Sequence, residues 1–139
     1  MGGSLARSKY GVPNRSTGIQ FGTAGLRGRM QAGFSCMNSL TVIQASQGLA
    51  KFIKATHRGT EQPSVVIGRD ARHNSEKFAF LAANSFEAEG IHVWWYDDVN
   101  PTPFVPFAVL LKKADAGVMV TASHVSSASL MPEVRDLAN

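Results

Sequence analysis

Three short apolar runs, set between stretches of helical hydrophobic periodicity, constrain this chain more than any other feature. Ser64–Gly68, Ile91–Tyr96 and Ala116–Thr121 read as strands. Apolar runs without polar alternation suit a sheet covered on both faces. Asn38 is the predicted N-cap of a first helix running to about His57, with Val42, Ala45, Leu49, Phe52 and Ile53 on one stripe and Gly59 just past its end. Asn74 or Ser75 starts a second helix, with Phe78, Leu81, Ala82 and Phe86 inward and Gly90 as its stop. Thr102-Pro103 opens a third, with Phe104, Phe107, Ala108 and Leu111 inward. Parallel strands need helical crossovers, so this order predicts an α/β fold whose mainly parallel sheet carries helices on its faces.

The totals agree with one soluble domain. The 139 residues suffice for one core, and 44% hydrophobic with 17% charged residues is a globular balance. A net charge of +4 without a clustered Lys/Arg face argues against nucleic acid as a partner. No apolar run has the length of a membrane span. A single cysteine, Cys36, excludes an internal disulfide and leaves reducing cytosol as the default. Residues 1–18 read as an irregular leader. They hold Arg7, Lys9 and Arg15, but Gly2, Gly3, Gly11 and Pro13 break any amphipathic face. Ala6 stands where a myristoylation signal wants Ser or Thr. The expected location is the cytoplasm.

Ligands of parallel sheets bind beyond the carboxyl ends of the strands. Three segments fall there: Arg69-Asp70-Ala71-Arg72-His73, Asn100-Pro101-Thr102-Pro103 and Thr121-Ala122-Ser123-His124. Ser123 offers a hydroxyl that can accept a phosphoryl group, and His124 an imidazole that can move a proton near neutral pH. Asp70, between two arginines, either orients Arg72 toward a phosphate or holds its own loop, and the structural role is the stronger expectation. Gly22–Gly28 is a glycine-rich turn with Arg27, which reads as a tight turn or as an anion cradle. It is not a P-loop, since no Gly-Lys-Ser/Thr follows. A serine hydrolase is disfavoured because Ser123 lacks a nucleophile elbow.

In order, these segments match a family. Phe-Gly-Thr-Ala-Gly-Leu-Arg-Gly at 21–28, Gly-Arg-Asp-Ala-Arg-His-Asn-Ser at 68–75, Pro-Thr-Pro at 101–103 and Gly-Val-Met-Val-Thr-Ala-Ser-His at 117–124 resemble the first domain of the α-D-phosphohexomutase superfamily. Pro-Thr-Pro-Phe-Val-Pro-Phe at 101–107 looks nearest to its phosphoglucomutase-2/phosphopentomutase branch. The resemblance covers residues 19–124. It implies a three-layer α/β/α domain with a mainly parallel mixed sheet of about four strands. It also implies an intramolecular phosphotransferase, in which a phosphoserine and a sugar bisphosphate interconvert sugar 1-phosphates with 6- or 5-phosphates. By motif, Ser123 is the phosphoserine, His124 its neighbour, and Arg27 and Arg72 support the phosphate. Magnesium, bound through the phosphate on Ser123, and an activator of the glucose 1,6-bisphosphate type follow from the same resemblance.

After His124 the resemblance breaks. Family members continue Ser-His-Asn-Pro and soon supply a lysine, whereas this chain reads Val125-Ser126-Ser127 and runs to Asn139. The magnesium loop, sugar-selecting loop and distal phosphate loop belong to three further domains of the family. Residues 125–139 are therefore expected to be a non-family tail, and the chain a truncated product inactive by itself. Val-Ser is encodable as an intron donor sequence, so translation of a retained intron is the expected origin of the tail. Genomic DNA without a donor after the His124 codon would exclude that origin. The rival readings are a non-catalytic α/β module that binds phosphosugars or a partner protein, and a nucleotide-binding domain using the glycine turn.

Overall fold

A computed structural model of the chain describes residues 18–22, 25–121 and 134–137. These fall into two compact units that divide between Thr41 and Val42. In the first, β1 (Phe21–Gly22) pairs antiparallel with β2 (Gly25–Leu26), Phe21 opposite Leu26. Gly25 has φ +89°, and a Cβ on Gly28 would lie 3.2 Å from the Met37 nitrogen and 3.3 Å from the Ser35 oxygen. Glycine is required at the one by conformation and at the other by the close passage of backbone.

Helix α1 spans Ser39–Thr56. Asn38 caps it as expected: its Oδ1 accepts the Thr41 N–H at 3.1 Å, and Thr41 Oγ1 accepts the Asn38 N–H at 3.0 Å. This reciprocal pair satisfies two of the orphan donors at a helix start. The expected stop at Gly59 is not used. α1 ends at Thr56, and Gly59 lies outside the left-handed region, because the His57 side chain bonds Asp115 and the Glu61 carbonyl and leads the chain away.

The second unit holds β3 (Ser64–Arg69), α2 (Ser75–Ala88), β4 (His92–Tyr96), α3 (Phe104–Lys112), β5 (Ala116–Val120) and β6 (Val134–Asp136). The sheet order is β5-β3-β4-β6. β3 pairs parallel with both β4 and β5, Val65 opposite Val93 and Ala116, while β6 runs antiparallel along β4. The mixed sheet of about four strands is therefore present, with its fourth strand drawn from residues 134–136, where none was predicted.

Alternation along β3 builds two cores. Val65 and Ile67 meet Ala50 and Ile53 of α1 and Ala79, Ala82, Ala83 and Phe86 of α2. Val66 faces the other way, toward Val105 and Ala108 of α3 with Tyr96. Helices thus cover both faces, giving three layers. α2 stops in a Schellman arrangement at Gly90, φ +75°: Gly90 N–H donates to the Glu87 carbonyl at 2.9 Å and Ile91 N–H to the Phe86 carbonyl at 3.0 Å. The expected inward faces need correction. Phe107 and Leu111 of α3 are 50% and 63% exposed and Phe52 of α1 63%, while Val105 and Ala108 carry the α3 contact. Periodicity fixed the stripe's spacing but not the flank that meets the sheet.

Candidate functional site

The carboxyl ends of the parallel strands form one edge. There the connections of neighbouring strands part, β3 leading into α2 on one face and β4 into α3 on the other, the arrangement beside which ligands of such sheets bind. Asn100, 2% exposed, lies at this point. Its backbone N–H donates to the Arg69 carbonyl at 3.0 Å, and its Oδ1 accepts the Arg69 N–H at 3.0 Å. Its amide nitrogen donates to the Pro101 carbonyl at 3.2 Å. One side chain thereby joins the ends of β3 and of the β4–α3 connection.

Asp70 organises the rest of the edge. It is 3% exposed, and Oδ1 accepts the Ser75 hydroxyl at 2.5 Å and the Arg72 backbone N–H at 3.1 Å. Oδ2 accepts the Thr121 hydroxyl at 2.9 Å, and the Asp70 N–H donates to the Val120 carbonyl at 3.1 Å. A buried carboxylate is costly to desolvate unless donors surround it, and bonds to the ionised form are the stronger kind. The residue therefore fastens three pieces of chain: its own loop, the first turn of α2 and the last residues of β5. Arg69 directs Nη2 to Glu76 Oε1 at 3.3 Å, while its buried Nε has no hydrogen-bond partner among the described residues.

Of the residues singled out by sequence, Arg72 lies at this edge with its side chain exposed. Arg27 is exposed in the first unit. Ser123 and His124 lie outside the described residues, as does the leader up to residue 17. The structural expectation for Asp70 holds, with its bond to Arg72 made at the backbone. Ser75, Asn100 and Thr121 were not assigned contacts from sequence. The hint for Asn100 was its place at a strand end before Pro101, but its partner lies 31 residues away.

Among the described residues no three His, Cys, Asp or Glu side chains converge on a possible metal position. Both oxygens of Asp70 already accept hydrogen bonds. These residues alone therefore do not make a magnesium seat. A hollow lined by His57, Ser64, His92, Trp94, Lys112 and Asp115 lies at the opposite edge, where the parallel strands begin, away from the Asp70 loop. Among the described residues no helix is long and apolar enough to cross a membrane.

Comparison with known proteins adds the following. The family model described as phosphoglucomutase/phosphomannomutase, alpha/beta/alpha domain I, matches residues 18–128. The chain is 46% identical over 112 residues to a phosphopentomutase of Homo sapiens, covering 76% of this chain and 18% of that protein. It is 50% identical over 112 residues to a phosphoribomutase of Saccharomyces cerevisiae, covering 76% and 17%. It is 46% identical over 112 residues to a glucose 1,6-bisphosphate synthase of Mus musculus, covering 76% and 18%. The chain thus spans less than a fifth of the length of these relatives. No solved structure matches it.

Proposed function

We propose, for a chain that belongs to the phosphoglucomutase/phosphomannomutase family by its alpha/beta/alpha domain I, that it carries the phosphoryl-accepting serine of a sugar-phosphate mutase, Ser123. The observation that carries this reading is the family match itself, which reaches past the end of the last parallel strand, where Thr121 is tied to the buried Asp70 two residues before that serine. The family match runs through residue 128 and so includes the Thr-Ala-Ser-His segment.

In the proposed reaction the phosphorus–Oγ bond of phosphorylated Ser123 breaks as a sugar hydroxyl oxygen bonds to phosphorus. His124 takes the hydroxyl proton and passes it to the departing Ser123 Oγ, which is left as the free serine hydroxyl. The reverse transfer, from the other end of the bisphosphate, restores the phosphoserine. Phosphoryl transfer is chiefly positioning and charge neutralisation. Arg72, exposed at the edge, suits that role, and Arg27 is proposed for it on motif alone. Magnesium, if used, would be drawn to the phosphate oxygens that modification adds to Ser123. Sugar monophosphates are the proposed substrates, an activator of the glucose 1,6-bisphosphate type the proposed phosphoryl donor, and the cytoplasm the proposed location. Identity to a phosphopentomutase and to a glucose 1,6-bisphosphate synthase is the same, 46%, and so favours neither a pentose nor a hexose phosphate as the substrate.

Incubation of the purified chain with glucose 1,6-bisphosphate and magnesium tests the reading. Mass spectrometry is expected to find phosphate on Ser123, and none in Ser123→Ala at any other position. Mutase turnover by the 139 residues alone is expected to be absent, as the chain spans 17–18% of its relatives. Phosphate elsewhere, or none, would remove Ser123 from this role.

A further inference from the structure

We infer that Asp70 and Thr121 form a positioning pair for phosphoryl transfer, an inference that rests on the reading of Ser123 as the phosphoryl acceptor. Asp70 is anchored before it meets β5: Ser75 Oγ and the Arg72 N–H hold Oδ1 at 2.5 and 3.1 Å. That leaves Oδ2 directed at the Thr121 hydroxyl, 2.9 Å away. The backbone bond from Asp70 to Val120, 3.1 Å, fixes the preceding residue. Val120 and Thr121 are thus both held by Asp70, itself clamped to α2.

A strand end needs no such device for stability alone. The ladder between β3 and β5 already pairs Arg69 with Val120, and beyond it Thr121 is exposed, where a hydroxyl can bond water at little cost. Committing this hydroxyl to a buried carboxylate fixes Thr121, two residues before the proposed acceptor. In-line transfer is sensitive to placement, since a misplacement of about 1 Å can cost about 100-fold in rate. The arrangement belongs to positioning and not to chemistry, because both Asp70 oxygens face donors of this chain.

The variants follow from the hydroxyl. Thr121→Val keeps shape and β-branching but removes the donor, while Thr121→Ser keeps the donor. In single-turnover labelling with glucose 1,6-bisphosphate and magnesium, Thr121→Val is expected to slow phosphate appearance on Ser123 by about 10- to 100-fold. The half-saturating bisphosphate concentration should stay within about twofold, since uniform binding is untouched. Thr121→Ser should recover the rate to within about threefold, which a role in strand packing would not produce. Labelling of Thr121→Val at the unsubstituted rate, or a loss confined to half-saturation, overturns the pair while leaving the serine reading intact. An unsubstituted chain that takes no phosphate on Ser123 sinks the serine reading and this inference with it.

Discussion

Asn100 shows how one side chain can hold two connections together. Its buried carboxamide accepts from Arg69 and donates to Pro101, so each half of the amide is used. Asn100→Leu keeps approximate volume and deletes both bonds. It leaves the Arg69 N–H without its acceptor at a buried strand end, a loss of about 1–3 kcal/mol. Urea denaturation measures this, and a change below about 0.5 kcal/mol, the scale of a neutral surface substitution, would show that water replaces the amide. At this scale the sequence was informative about residue type and silent about partners. Asp70 read as a loop-holder from its neighbours, but the Asp70–Thr121 bond joins residues 51 apart and leaves no local trace.

The elements were legible where a local rule sets them. Asn38 caps α1 and Gly90 closes α2 through hydrogen bonds among near neighbours. The strand cores at 64–68, 92–96 and 116–120 agree with the apolar runs. What failed in part was the orientation of α3, where Ala108 is packed as expected but Val105 takes the place of Phe107 and Leu111. The sheet beneath α3 explains the choice. A Cβ on Gly117 would lie 2.6 Å from Val105 Cγ1 and 2.9 Å from Val109 Cγ2, and one on Gly68 2.6 Å from Val105 Cγ2. Bare glycine backbone lets two β-branched residues of α3 sit close, and the larger Phe107 and Leu111 turn outward. Gly117→Ala is therefore expected to destabilise by about 1–3 kcal/mol through overpacking. In a double-mutant cycle with Val105→Ala the two costs should fall short of additive by at least about 0.5 kcal/mol. Full additivity would place the strain elsewhere.

Across the second unit as a whole, one ion pair joins distant parts at the amino edge of the sheet. His57 Nδ1 lies 2.6 Å from Asp115 Oδ1, and Asp115 Oδ2 accepts the Ser64 N–H at 2.8 Å. The end of α1 and the starts of β3 and β5 meet there. The bond to Asp115 holds the His57 pKa above its ordinary 6.5, outweighing the desolvation that lowers it. For Asp115, burial raises the pKa, but the hydrogen bonds from His57 and Ser64 together bring it below its ordinary 3.8. The signs follow. The His57 contribution is complete below pH 6.5 and fades as pH climbs through the raised value. The Asp115 contribution is complete above pH 3.8 and fades as pH falls through the lowered value. The chain should accordingly lose stability relative to His57→Gln as pH rises past 6.5. Urea midpoints of both proteins across that range measure it, and a difference independent of pH would mean that His57 acts there by packing alone.

By itself the sequence determined the succession of strands and helices, the caps at Asn38 and Gly90, and the ordered motifs that identify the family. These are written in neighbouring residues, because turns and helix ends are settled by backbone groups a few positions apart. Tertiary structure decided which side of α3 is covered, that residues 134–136 close the sheet beside β4, and that Asp70 fastens Ser75 and Thr121 at one edge. Each of those depends on which segments the crossovers bring together, and hydrophobic periodicity gives a stripe's spacing without saying what will lie against it.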